Sequence, residues 1–148
     1  QTTRELLSAC PRTNNPYSDG VRVGNTTYVG GRTGGDPLGG VVPGGIGPET
    51  RQALFAIKRF LQTNRHDLNT VVKVTVFLAD MNDYKVMNEA YLESFKENYP
   101  ARSVVQVKYI PEGSRLMVEA IAVGKKMQSM RITSFPSLQP WAVEAMLE

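Results

Sequence analysis

The chain has 148 residues, a length typical of a single domain, and 41% of them are hydrophobic, as in an ordinary globular protein. Its net charge of +3 is too small, and its charged residues are too evenly mixed, to indicate a nucleic-acid-binding surface. A lone Cys10 cannot form a disulfide within the chain, a single His66 excludes a His/Cys zinc cluster, and no apolar run is long enough to span a bilayer.

The sequence begins at Gln1 rather than at Met, so we expect that a segment upstream was removed. One cysteine and no secretory h-region favour an intracellular, reducing compartment. The expected location is the cytoplasm, or a mitochondrion if the cell is eukaryotic.

The first third of the chain predicts one hairpin between two irregular segments. Residues 1–15 are polar apart from a short leucine pair, and we expect a loose N-terminal arm. Alternating residues in 21–23 and 27–29 flank Gly24-Asn25, which is a hairpin signal. Residues 30–47 are rich in glycine and proline, which predicts a long ordered loop.

The middle of the chain alternates helices with strands. Residues 48–63 carry apolar side chains at helical spacing after Pro48, which suits a first helical position. Thr70–Leu78 is a β-branched run that predicts a strand buried on both sides. A second helix, with Val86 in its apolar stripe, follows a cap at Asn82 or Asp83 and is stopped by Pro100. Two last strands are predicted over 104–110 and 115–123.

The predicted order is therefore β-β-α-β-α-β-β, in a single domain over residues 16–124. This order favours an α/β sandwich in which one mixed sheet carries both helices on one face. The other face of the sheet is apolar and has no cover from this chain, which predicts a homo-oligomer. Residues 125–148 change composition and are expected to form a C-terminal appendage without assignable chemistry.

Two charged residues in the last third of the chain suggest a site. Arg102 stands at the start of an apolar strand, and Glu119 is the one acid within the next strand. A guanidinium matches a carboxylate or phosphate in two-point contact, and a carboxyl can transfer a proton. A tight turn between the strands can bring both groups to one end of a sheet, as an anion clamp beside an acid. The alternatives are a surface ion pair for Arg102 and a solvated strand face for Glu119.

Other catalytic patterns are weak. The glycine-rich loop lacks the Gly-Lys-Ser/Thr ending of a P-loop, although Gly30 and Gly31 at a strand end can let a ligand contact backbone N–H groups. We expect His66 to be a solvated loop residue rather than the base of a Ser/His/Asp triad. Acid–base or electrostatic chemistry remains.

Several short motifs, in order and at compatible spacing, resemble the Rid family of reactive-intermediate deaminases, also called the YjgF family. Each motif alone is weak, but the series extends from about Asn15 to Gly124 and is specific. The matching pieces are Pro16 to Val21, Val23 to Asn25, Gly40 to Pro43, Arg51 to Leu54, Val72 to Leu78, Met81 to Tyr84, Asn88 to Tyr91, Pro100 to Ser103 and Val118 to Val123.

This RidA-like resemblance implies a chorismate-mutase-like fold and a homotrimer with clefts between its subunits. It implies hydrolysis of enamines and imines, such as 2-aminoacrylate and 2-iminopropionate, to 2-oxo acids and ammonia, with no cofactor or metal. It assigns the substrate carboxylate to Arg102 and the attacking water to Glu119. The further substrate-binding residues that it implies are Tyr17, Gly31, Asn88 and Ser103.

The sequence departs from the family pattern at three positions. Gly30 stands where relatives often have serine, Arg32 where glutamine is common, and Val104 where many bacterial members have cysteine. Arg32 would add a charge near the cleft and change which substrates enter. Two other functions stay open: a non-catalytic regulatory module that binds a small molecule, and a ribonuclease or translation inhibitor.

Overall fold

The computed structural model describes residues 3–8 and 14–124. Within these residues the chain forms six strands and two α-helices, with short 3-10 turns between some of them. The elements are β1 Arg4–Leu7, β2 Gly20–Val23, β3 Thr26–Thr33, α1 Ile46–Thr63, β4 Val71–Leu78, α2 Tyr84–Ser94, β5 Ala101–Gln106 and β6 Leu116–Val123. The appendage expected over 125–148 lies outside the described residues, as does Cys10.

All six strands form one mixed sheet in the order β1-β2-β3-β6-β4-β5. The β4–β5 pair is parallel and the other pairs are antiparallel, so the predicted sandwich with one mixed sheet is confirmed. The predicted loose arm is wrong over Arg4–Leu7, because this segment pairs with β2 as an edge strand. An ion pair of 3.7 Å between Glu5 and Arg22 supports that pairing.

Both helices pack on the same face of the sheet, as predicted. The apolar stripe of α1, including Leu54, Ile57 and Leu61, forms one core with Met87 of α2 and with inward side chains of β3, β4 and β6. The helix α1 begins two residues earlier than predicted, at Ile46, because backbone hydrogen bonding starts before the proline.

The second helix and the strand after it differ from the prediction. The helix α2 ends at Ser94, six residues before Pro100, because the backbone at Phe95 is already extended. Its predicted apolar stripe is wrong at Val86, which is exposed. The strand β5 starts directly after Pro100 and ends at Gln106, so both of its ends lie a few residues earlier than the predicted 104–110.

The second face of the sheet has no helix over it in the part of the chain that the structure describes. Along β6, buried residues alternate with partly or fully exposed ones, and β4 shows the same alternation. The prediction that β4 is buried on both sides is therefore wrong for the single chain. Tyr28, Val105 and Val123 remain exposed on this face, which we call the open face.

Residues 3–8 and 14–124 contain no helix that is long and apolar enough to cross a membrane.

Candidate functional site

Arg102 is the second residue of β5, at the edge of the sheet. It pairs with Val74, a core residue, so its side chain leaves the sheet on the helix face and meets α2. There Nη1 donates to Oδ1 of Asn88 at 2.6 Å, and Nη2 donates to the hydroxyl of Tyr84 at 3.2 Å. The guanidinium carbon lies 4.6 Å from the centre of the Tyr91 ring. The arginine is thus held by one face of α2.

A cavity of about 240 Å³ adjoins this arginine. Its lining is mostly apolar and aromatic apart from the guanidinium and one amide: Asn88, Tyr91, Leu92, Tyr99, Pro100 and Arg102. A permanently charged guanidinium in such a partly apolar setting attracts a small carboxylate more strongly than the same group in open water.

Glu119 lies on the open face of the sheet. It is exposed, and it pairs with Thr75 of β4, which in turn pairs with Ser103 of β5. Lys73, also on β4, donates from Nζ to Oγ of Ser103 at 3.2 Å. A cavity of about 460 Å³ joins Glu119 to Lys73 and Thr75 and extends to Tyr28. This face therefore offers a carboxylate and two hydroxyl groups in one row across the strands, with an ammonium in the adjacent row.

The prediction that Arg102 and Glu119 meet at one end of the sheet is wrong for a single chain. The strand β4 lies between β5 and β6, and the two side chains leave opposite faces of the sheet. The strands β5 and β6 follow each other in the sequence but are not neighbours in the sheet. Within one chain the two groups therefore do not face a common site.

Two further predicted contacts, Tyr17 and Gly31, lie before β2 and within β3. Tyr17 lies in the bend before β2 and is 64% exposed. Gly31 sits in the bulge of β3 between Val29 and Arg32, where a Cβ would come within 2.5 Å of the Met117 sulfur. The neighbouring N–H of Gly30 already donates to the backbone carbonyl of Asp19 at 3.0 Å. A backbone contact from Gly31 to a ligand stays a prediction.

The expectation that Arg32 adds a charge to the cleft is wrong. Its guanidinium turns to the helix face, packs over the Phe60 ring at 5.0 Å and donates to the carbonyls of Gly30 and Asp19. Burial lowers the pKa of Arg32, against the opposing effects of Asp19 and Tyr17. This arginine braces the bend before β2. Val104, by contrast, packs against the core.

His66 is buried rather than solvated, which corrects the prediction. Its Nε2 lies 2.8 Å from the hydroxyl of Thr27, and its Nδ1 lies 3.3 Å from that of Thr70. Burial lowers the pKa of His66, nearby Arg22 lowers it further, and Asp67 opposes both. The residue joins the end of the sheet to the loop after α1.

The sequence argument missed two residues that contact Arg102. Tyr84 and Tyr91 stand four residues before and three residues after Asn88, which places all three on one face of α2. This spacing alone could have predicted, from the sequence, that the two tyrosines lie beside Asn88 and its partner Arg102. No group of three or more His, Cys, Asp or Glu side chains that could hold a metal occurs within residues 3–8 and 14–124.

A mixed sheet with both helices on one face defines a small α/β sandwich, with an arginine held at the sheet edge and a carboxylate on the open face. The family model described as Endoribonuclease L-PSP matches residues 7–124. The chain therefore belongs to this family, the Rid or YjgF family that its motifs resemble.

Individual relatives agree with this assignment. The chain is 46% identical over 123 residues to a mouse protein named 2-iminobutanoate/2-iminopropanoate deaminase, covering 81% of this chain and 91% of the relative. A bovine protein of the same name is 42% identical over 123 residues, which cover 81% and 90% of the two chains. The crystal structure of yeast Mmf1 superposes on this chain with a TM-score of 0.77 at 34% sequence identity. The superposed region covers 83% of this chain and 100% of the Mmf1 chain.

Proposed function

We propose that this chain is a hydrolase that deaminates reactive imines and enamines of short amino acids, such as 2-iminopropanoate and 2-aminoacrylate. The products are 2-oxo acids and ammonia. The observation that carries the proposal is the Arg102 guanidinium held beside a small cavity, in a chain whose relatives of 42–46% identity are named for this reaction.

Arg102 binds the substrate carboxylate through two of its N–H groups, which fixes the imine carbon relative to the protein. Glu119 accepts a proton from a water molecule as the water oxygen adds to that carbon. Glu119 passes this proton to the imine nitrogen, which gives a carbinolamine with one hydroxyl and one amino group. The carboxylate then takes the hydroxyl proton and passes it to the amino nitrogen, the carbon–nitrogen bond breaks, ammonia leaves as the carbonyl forms, and Glu119 is a carboxylate again. Overall one imine and one water give one 2-oxo acid and one ammonia. An imine is already electrophilic, so positioning and one proton acceptor suffice.

We further propose that the chain forms a homotrimer in which each cleft takes Arg102 from one chain and Glu119 from its neighbour. Two features support this assembly. The open face of the sheet carries apolar side chains such as Tyr28 and Val123. The two charged groups leave opposite faces, so a ring of copies is the simple way to bring them together. Tyr17, Gly31, Asn88 and Ser103 would then line the clefts.

The activity is tested by the rate of 2-oxo acid formation from an imine generated in situ by an amino-acid oxidase, above the rate of spontaneous hydrolysis. Arg102→Ala removes two charge-assisted hydrogen bonds to the substrate and lowers kcat/KM by at least about a hundredfold. Arg102→Lys keeps the charge but loses the two-point contact, and it loses about tenfold or more. Unchanged hydrolysis by Arg102→Ala would refute the proposal, and carboxylate binding without turnover by the wild type would favour the regulatory module.

The assembly is tested by complementation. Arg102→Ala and Glu119→Gln chains are each inactive alone, and co-expression creates clefts that combine an intact Arg102 with an intact Glu119. Activity returns in the mixed oligomer if each site is shared between chains. No recovery in a mixed oligomer of trimeric mass would contradict the shared site.

We place the reaction in the cytoplasm, or in a mitochondrion of a eukaryotic cell, as the sequence predicts. Cell fractionation that follows the native protein tests this location.

A further inference from the structure

Three side chains of α2 hold the Arg102 guanidinium in one orientation without any ligand. Its two hydrogen bonds, to Asn88 and Tyr84, use two of the five N–H donors of a guanidinium and leave three for a carboxylate. The face of the group lies on the Tyr91 ring at 4.6 Å, and the Tyr84 ring is 5.9 Å away. A free arginine side chain samples many rotamers, and these contacts remove that freedom before a ligand arrives.

Tyr91 is itself fixed. It is buried, and its ring stacks on Phe95 with centroids 4.7 Å apart. By geometry its hydroxyl completes no hydrogen bond among the residues that the structure describes, although the Arg102 guanidinium lies close to it. Burial raises the pKa of Tyr91, and the nearby Arg102 opposes this rise. The ring, which contacts both the guanidinium and Phe95, is therefore the main support that this side chain gives to Arg102.

We propose that Tyr84 and Tyr91 are positioning residues that orient the Arg102 guanidinium for two-point binding of the substrate carboxylate. Tyr91 supports the guanidinium face through a cation–π contact, and the Tyr84 hydroxyl fixes its rotation in that plane. Neither residue touches the reacting atoms. The proposal rests on the assignment of the substrate carboxylate to Arg102, and it deepens that assignment by naming what sets the affinity.

The test measures two quantities for each variant: KM and kcat for imine hydrolysis, and the Kd of the stable product 2-oxobutanoate by calorimetry. Tyr84→Phe removes only the hydroxyl and raises both Kd and KM by about three- to tenfold, while kcat changes less than twofold. Tyr91→Leu removes the ring and raises Kd by about three- to thirtyfold. Tyr91→Phe restores most of the affinity that Tyr91→Leu loses, because the ring returns.

Tyr109→Phe is the matched control, since Tyr109 is 72% exposed and lies outside the cavity beside Arg102. It leaves both quantities unchanged. Wild-type Kd and KM in both Tyr84→Phe and Tyr91→Leu would overturn the inference while the proposed deaminase activity stands. A wild type that binds 2-oxobutanoate but does not hydrolyse imines would refute the activity, and the Kd series would still test the positioning role. A wild type that neither hydrolyses imines nor binds 2-oxobutanoate would overturn both.

Discussion

Replacing Glu49 removes the most buried carboxylate of the described fold from the junction of three segments. Glu49 lies in the first turn of α1 and is only 2% exposed. Its Oε1 accepts the backbone N–H of Arg115 at 2.7 Å and the hydroxyl of Ser114 at 3.0 Å, and its Oε2 lies 3.4 Å from the Arg115 guanidinium. A Cβ at Gly34 would approach the Glu49 side chain to 2.6 Å, so the loop after β3 is packed on it as well.

Glu49→Ala removes the acceptor of the partly buried Arg115 N–H and opens a space beneath the loop. The Ser114 hydroxyl loses one partner but keeps its bond to the Leu116 carbonyl. Loss of these hydrogen bonds together with the buried volume destabilises a fold by about 2–4 kcal/mol, which lowers Tm by roughly 6–16 °C in a domain of this size. Glu49→Gln keeps an acceptor for both hydrogen bonds and loses only the pairing with the half-exposed Arg115 side chain. It therefore destabilises by about 1 kcal/mol.

Urea unfolding at one fixed protein concentration measures the difference, since an oligomer makes stability depend on concentration. Glu93→Ala is the matched control, because Glu93 pairs with Arg51 on the exposed surface and its loss changes stability far less. A loss below about 1 kcal/mol in Glu49→Ala, or equal losses in Glu49→Ala and Glu49→Gln, would refute this account of the junction.

Two further changes test the packing around β2 and β3. Burial lowers the pKa of His66 in the folded protein, so the folded state binds fewer protons than the unfolded state below the ordinary value near 6.5. The contribution of His66 to stability is therefore complete above about pH 6.5 and is lost as the pH falls below that value. In His66→Gln the free energy of unfolding, measured by urea titration at several pH values, falls less steeply below about pH 6.5 than in the wild type. An equal slope in both proteins would contradict this role of His66. Gly20→Ala places a Cβ 2.7 Å from the Phe60 ring and lowers the free energy of unfolding by about 1–3 kcal/mol in urea titrations. Gly47→Ala is the control: its Cβ meets the flexible end of Arg51 at 3.5 Å and Val86 at 3.8 Å, both ordinary contacts, and the change is neutral or slightly stabilising.

Local patterns predicted the elements well because they are set by short-range physics. Alternation around Gly24-Asn25 predicted the hairpin of β2 and β3, and Gly24 does take a positive φ of 60° there. Helical spacing predicted α1 to within two residues at its start, since its apolar stripe is long and regular. The order of strands and helices also predicted correctly that one face of the sheet has no helix over it in the described part of the chain.

What failed depended on contacts between distant parts of the chain. His66 is buried because Thr27, thirty-nine residues earlier, comes to meet its ring. Arg32 turns inward because a bulge in β3 and the Phe60 ring redirect it. Arg102 and Glu119 separate because β4 inserts between their strands, and no local pattern records which strands become neighbours.

The opposite orientation of Arg102 and Glu119 has a genetic consequence under the proposed assembly. Each chain lends its arginine to one cleft and its carboxylate to another. A chain that carries both Arg102→Ala and Glu119→Gln would therefore inactivate two clefts in every trimer that it enters, including trimers whose other two chains are wild type. Such an allele would act dominantly when expressed with the wild type, and its inhibition would grow with its share of the pool. A chain truncated before β5, unable to complete the sheet edge, would instead behave as a simple loss.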